Sequence, residues 1–178
     1  GNMQPKKDWC DISELIYSVI NRLQENLEKH PVHVSIEKNI PLYKIDYVLL
    51  EQALYNLVYN ASVYTPDYSE IFITAKNNSN KIYELNPLVK EHSDLVAEIN
   101  SMILVVEDKG PGFPENEIGR VFDRFYRLQN SRTGGTGLGL SIVKGFVEAH
   151  EGTMILENVP HGARFTIDIP AEVSFINN

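Results

Sequence analysis

The stretch Gly134-Gly-Thr-Gly-Leu-Gly-Leu140 gathers four glycines into seven residues. It runs straight into Ser141–His150, where Ile142, Val143, Phe146 and Val147 recur at helical spacing. Glycine lets backbone N–H groups approach a ligand with no side chain between them. A helix start adds unpaired donors and a partial positive charge. A loop and helix of this kind form a phosphate site, or else simply a loop entering a core helix, and the remaining segments must decide between the two. With 178 residues, 43% of them hydrophobic, the chain is long enough for one domain with a real core. A net charge of -8 excludes a non-specific nucleic-acid surface, which needs a basic face, but leaves room for one nucleotide in a local pocket. The single cysteine, Cys10, excludes an internal disulfide and fits a reducing compartment. No apolar run has the length of a membrane span. The start Gly1-Asn2-Met3 reads as a remnant joined to a fragment, so any membrane segment is expected elsewhere in a longer parent chain.

Residues 1–10 read as a tail. Asp11 with Glu14 forms a capping-box pattern. Ile12, Leu15, Ile16, Val19, Ile20, Leu23 and Leu27 then make the stripe of an amphipathic helix that His30-Pro31 ends. Val32, Val34 and Ile36 alternate as a half-buried strand, which leaves His33 on the wet face. Asp46 caps a second helix, Tyr47 to about Tyr64, with Leu50, Ala53, Leu54, Leu57, Val58 and Ala61 on its buried side. Asn56 and Asn60 lie one turn apart on that helix and share a face. Asparagine is a mediocre helix former, so two beside an apolar stripe imply either a polar task or two solvated amides. A strand over Glu70–Lys76 is expected to pair with the apolar strand Ser101–Glu107, making residues 77–100 a hairpin insertion with a short helix about Leu85–Leu95. At the end of the second strand, Asp108-Lys-Gly-Pro-Gly-Phe113 combines a tight turn with an aimed carboxylate, an acceptor suited to an exocyclic amine such as adenine N6. Glu115–Tyr126 reads as a helix with Ile118, Val121, Phe122 and Phe125 inward, and a mobile lid is expected between Leu128 and Gly135. Thr153–Glu157 and Arg164–Ile169 form a closing hairpin, and residues 172–178 read as a second tail.

In order along the chain, Asn56-Leu-Val-Tyr-Asn60-Ala resembles the N box of the ATP-binding domain of sensor histidine kinases. Asp108-Lys-Gly-Pro-Gly112 resembles its first glycine box, and Val121-Phe-Asp-Arg-Phe-Tyr-Arg127 its F box. Gly135-Thr-Gly-Leu-Gly-Leu140 resembles the second glycine box, and Gly162-Ala-Arg-Phe165 the closing strand. Five motifs in series are far more specific than any one, and the approach to the N box is most similar to that of the potassium-sensing, Kdp-type kinases. The resemblance implies an α/β (α+β) two-layer sandwich, the Bergerat fold, with about three helices on one face of a mixed, largely antiparallel sheet over residues 11–171.

It also implies ATP and Mg²⁺ as ligands. Asn60 would hold Mg²⁺ as a hard oxygen donor, Asn56 would sit by the phosphates, and Tyr64 would border the base. Asp108 would bind adenine N6, with Gly110 shaping the turn and Gly112 admitting the base. Gly135, Thr136, Gly137, Leu138, Gly139 and Leu140 would cradle the phosphates, with Tyr126 beside them, and Arg127 would neutralise the transferred phosphoryl group. Phe122 and Phe125 would anchor the lid or serve as plain core aromatics. Gyrase- and chaperone-type relatives of the superfamily place a glutamate base where Asn56 stands, and asparagine cannot take water's proton in that way.

The chain departs from the family pattern at three positions. Val63 replaces a frequent basic residue, for which Arg132 and Lys109 are the candidate substitutes. Lys109 replaces an asparagine, and Ala163 replaces a small hydroxyl residue. None of His30, His33, His92, His150 and His161 has the context of a phospho-accepting helix. The resemblance therefore implies transfer to a histidine on a dimerisation domain outside this chain, with a response regulator downstream, no nucleic acid, and a cytoplasmic location as part of a membrane-bound sensor. A nucleotide-sensing module of the same fold, without transfer, is the alternative.

Overall fold

The computed structural model describes residues 4–85, 88, 93–123 and 139–175. Five strands form the main sheet: β2 (Val32–Ile36), β4 (Ile71–Leu85), β5 (Ser93–Asp108), β7 (Gly162–Pro170) and β6 (Thr153–Val159), side by side in that order. Only β2 and β4 run parallel; the other pairings are antiparallel. The register Ile73↔Val106, Ala75↔Leu104, Leu104↔Ile167 and Val106↔Phe165 puts one apolar set on a single face, because side chains alternate along each strand. Helices α1 (Ile12–Arg22), α2 (Tyr47–Tyr64) and α3 (Gly139–Ala149) bury their stripes against that face. Leu15, Ile16 and Val19 of α1, Leu50, Leu54 and Leu57 of α2, and Val143 and Val147 of α3 are all essentially inaccessible. The expected two-layer sandwich, with a mixed and largely antiparallel sheet, is thus the observed one.

Local signals account for the helix starts. The Asp11 side chain accepts from the backbone N–H groups of Ser13 and Glu14, and that of Asp46 accepts from Leu49 N, satisfying donors left free at each first turn. α2 occupies the expected span. α1 stops at Arg22 although its stripe continues: Leu23 and Leu27 stay buried while the backbone tightens to three-residue bonds such as Gln24 N to Asn21 O.

Several expectations need correction. The N-terminal stretch contains a strand, β1 (Asp8–Cys10), and the C-terminal one contains β8 (Val173–Ser174). Both pair with β3 (Leu42–Ile45), itself not foreseen, in a second, three-stranded sheet. Glu115–Asp123 forms successive turns rather than a helix, with bonds such as Glu117 N to Pro114 O and Arg120 N to Glu117 O. The hairpin of β4 and β5 is real and long. Tyr83↔Leu95 pairing, with a bulge next to Tyr83, makes strand of both ends of the helix expected around Leu85–Leu95, whose middle lies largely outside the described residues. Beyond Lys76 and Ser101 this ribbon loses the β2 and β7 pairings and leaves the sheet as two strands. Among the described residues, no helix is long and apolar enough to cross a membrane.

Candidate nucleotide site

α2 and α3 run antiparallel, as their end contacts show. Asn56 Nδ2 donates to Gly139 O at 3.4 Å, at the start of α3. At the other end the His150 ring meets the head of α2, where Asp46 N donates to Nε2 at 3.0 Å. His150 Nδ1 faces Phe146 O at 2.9 Å, so the buried ring is neutral with its proton on Nδ1. Burial lowers its pKa below the ordinary imidazole value, the neighbouring Lys7 adds to that, and the Phe146 carbonyl and Asp46 carboxylate pull the other way.

The α2 stripe places Asn56 and Asn60 at the edge of the core, both half-buried. Asn56 Oδ1 accepts from Gln52 Nε2 at 3.0 Å, so its amide is oriented from within its own helix. The Asn60 amide nitrogen lies 3.9 Å from where a side chain on Gly139 would begin. Both asparagines, half-exposed, therefore lie beside the first residue of α3.

Next to Asn60 a cavity of about 380 Å³ opens between α2 and the end of the sheet, lined by Asn60, Tyr64, Asp108, Gly112, Phe113 and Glu117 among others. Asp108 ends β5 and is only 8% exposed. Its Oδ1 accepts from Gly110 N at 2.9 Å and Ala163 N at 3.4 Å. Among the described residues Oδ2 has no partner, which leaves one acceptor of a buried carboxylate to the cavity. Burial raises the Asp108 pKa, and the two backbone donors hold it back. Gly110 packs so tightly that a Cβ there would lie 2.5 Å from Thr65 Cγ2. Gly112 has φ +79 and lies against Asn158 and the Gly162 carbonyl. Gly162 has φ +137, and a Cβ on it would overlap the Asp108 carbonyl.

Asn60, Tyr64, Asp108 and Gly112 thus share one cavity, with Gly110 beneath Asp108 and Asn56 turned to Gly139. Leu140 is half-buried against the core at the start of α3. Tyr126, Arg127, Gly135, Thr136, Gly137 and Leu138, with Phe125, Arg132, His92 and the expected lid, lie outside the described residues. Phe122 packs edge-on against Phe165 at 6.2 Å, a core contact. Lys109 does not replace the charge missing at Val63: its ammonium pairs with Glu107 at 3.5 Å and sits over the Phe72 ring, on the helix-free face of the sheet. Sequence reasoning missed Thr65, Phe113 and Glu117 as wall residues. It also missed Asn158, whose place is set by strand register and left no signal in composition or spacing.

The donor set also bears on metal. Among the described residues there is no cluster of three or more His, Cys, Asp or Glu able to hold an ion. One amide oxygen at Asn60 suits Mg²⁺ that keeps its waters and arrives with phosphates, not a dedicated protein cage.

The family model for histidine kinase-, DNA gyrase B-, and HSP90-like ATPases matches residues 45–173, and the chain belongs to that family. More particularly, it is 33% identical to the sensor protein KdpD of Clostridium acetobutylicum over 97% of this chain and 17% of KdpD, so it spans about a sixth of that relative's length. Among solved structures, the nucleotide-free catalytic domain of histidine kinase ThkA superposes with a TM-score of 0.73 at 25% identity, covering 93% of this chain and 96% of that one. Full-length ShkA in complex with AMPPNP gives a TM-score of 0.75 at 20% identity, covering 99% of this chain and 33% of ShkA. ThkA has also been solved with the response regulator protein TrrA; that structure scores 0.70 at 23% identity and covers 94% of this chain and 42% of its own.

Proposed function

We propose that this chain is the ATP-binding catalytic part of a sensor histidine kinase, passing the γ-phosphoryl group of Mg²⁺-ATP to a histidine on a dimerisation domain outside the chain. One observation carries the reading: Asn60 and Tyr64 of α2 and Asp108 and Gly112 after β5, two segments far apart in sequence, line a single cavity beside the start of α3. In it, Asp108 Oδ2 accepts from the adenine amine, Gly112 leaves room for the base, and Tyr64 borders it. Asn60 offers its oxygen to the ion, and Asn56, held by Gln52, lies on the phosphate side with Gly139 and Leu140. Tyr126, Arg127, Gly135, Thr136, Gly137 and Leu138 complete the phosphate side, with Arg127 opposing the charge of the transferred group. ATP supplies the phosphoryl group; the chain's own part is to bind, orient and exclude water. Asn56 is neutral and takes no proton from water, which favours transfer to an imidazole over hydrolysis. The KdpD likeness supports a response regulator as the downstream partner and the cytosolic side of a membrane-bound sensor as the location.

Mixing the chain with a matching acceptor domain and labelled ATP should yield phosphohistidine. ATP binding without it points to the second reading, a nucleotide-sensing module, which the engagement of Lys109 on the far face favours. No calorimetric signal for Mg²⁺-ATP would defeat both.

A further inference from the structure

Asn158 stands one residue before the end of β6, in register with Ala163 of β7. Its carboxamide is matched to both main-chain polar groups of one residue: Oδ1 accepts from Phe113 N at 2.8 Å, and Nδ2 donates to Phe113 O at 2.8 Å. Nδ2 also donates to Glu115 Oε1 at 3.0 Å. Asn158 Oδ1 lies 2.8 Å from where a Cβ on Gly112 would sit. The side chain therefore fills the space under Gly112 and ties down Phe113, whose ring meets Phe165 edge-on at 5.9 Å. Asn158 itself stands outside the cavity lining.

The turn between β6 and β7 thus braces both ends of the 108–114 loop. Gly162 and Ala163 hold Asp108 at its start, and Asn158 holds Phe113 at its end. Between the two braces, Pro111 and Gly112 form the cavity wall. We infer that Asn158 is a positioning residue that sets the shape of the base-binding wall and, through it, the choice of purine; this rests on the nucleotide reading above. The chemistry is specific to asparagine. One acceptor and two donors on a rigid plane answer one N–H and two oxygens. Aspartate has no donor for Phe113 O and repels Glu115, serine reaches too few partners, and glutamine is one methylene too long for the space under Gly112.

The test uses the whole chain, well below its melting temperature, with Mg²⁺-ATP binding read by calorimetry and GTP read by its displacement of ATP. Asn158→Ala should weaken ATP about tenfold, weaken GTP much less, and so contract the ATP-to-GTP ratio. Asn158→Asp, of unchanged size, should do the same if the alanine variant does not fold. A role confined to holding the fold predicts that both nucleotides weaken by one common factor. An unchanged ratio, or an ATP affinity within twofold of the native chain, overturns the inference. A native chain that binds no ATP defeats the nucleotide reading itself, a distinct result.

Discussion

Asp108→Asn removes one charge and one acceptor while keeping the size of the side chain. The amide oxygen can still accept from Gly110 N and Ala163 N, at 2.9 and 3.4 Å in the native fold, so the loop keeps its inner bonds. The second position, facing the cavity, becomes an NH₂ group and meets the adenine amine donor to donor. Losing a hydrogen bond to a charged group costs about 1.5–3 kcal/mol, which is about 10- to 150-fold in affinity. Stability moves the other way. Burial raises the Asp108 pKa, so the folded state binds its proton more tightly than the unfolded chain. Such a group stabilises the fold fully below the unfolded carboxylate value, and that contribution is lost as pH rises through the raised value. At neutral pH the native carboxylate is therefore a cost to folding, and the asparagine variant should melt at the same temperature or higher. Calorimetric titration with Mg²⁺-ATP at pH 7.5, paired with thermal melts without nucleotide, reads both arms. An unchanged affinity, or a weakened affinity that merely follows a lowered melting temperature, would refute the assignment of this carboxylate to the base.

The buried neutral His150 makes stability acid-sensitive. Its pKa is lowered in the fold, so stability is full above the ordinary imidazole value of about 6.5 and declines as pH falls below it. In His150→Ala the midpoint of urea unfolding should drop by the equivalent of about 1–3 kcal/mol, from the unmet Asp46 N–H, and the decline from this ring should vanish. Gly162→Ala should cost about 3 kcal/mol or more, since its Cβ overlaps the Asp108 carbonyl at φ +137; a small shift in urea midpoint would contradict this. Cys10 is buried with its thiol pKa pushed up to about 12, so a colourless-to-yellow thiol reagent at pH 8 should react with it only after denaturant unfolds the chain.

Where one face of an element is buried, the sequence announced it. The stripe of α2 between Asp46 and Pro66 is legible because a cap, a period and a stop agree. The pairing of Ile71–Lys76 with Ser101–Glu107 is legible because apolar runs of matching length flank an insertion. The projecting part of that hairpin showed no period for the opposite reason. With both faces wet, as at Ile82, Tyr83 and Ile99, no alternation is imposed on it. The strands Asp8–Cys10 and Leu42–Ile45 are too short to carry an alternation that stands out from loop. At the candidate site, Asn56, Asn60 and Asp108 were visible as polar groups in apolar settings. Glu117 falls in the stretch whose spacing predicts a helix with only apolar residues inward; the observed turns bury it to 7% exposure.

The imidazole of His150 fixes α3 to the head of α2, at the end farthest from the asparagines. At the Gly139 end, Asn56 Nδ2 donates to Gly139 O at 3.4 Å while Leu140 packs against the core. The two ties are about 16 Å apart by helix rise. Two ties so far apart on one helix set its rotation as well as its position, which keeps Val143 and Val147 turned to the core.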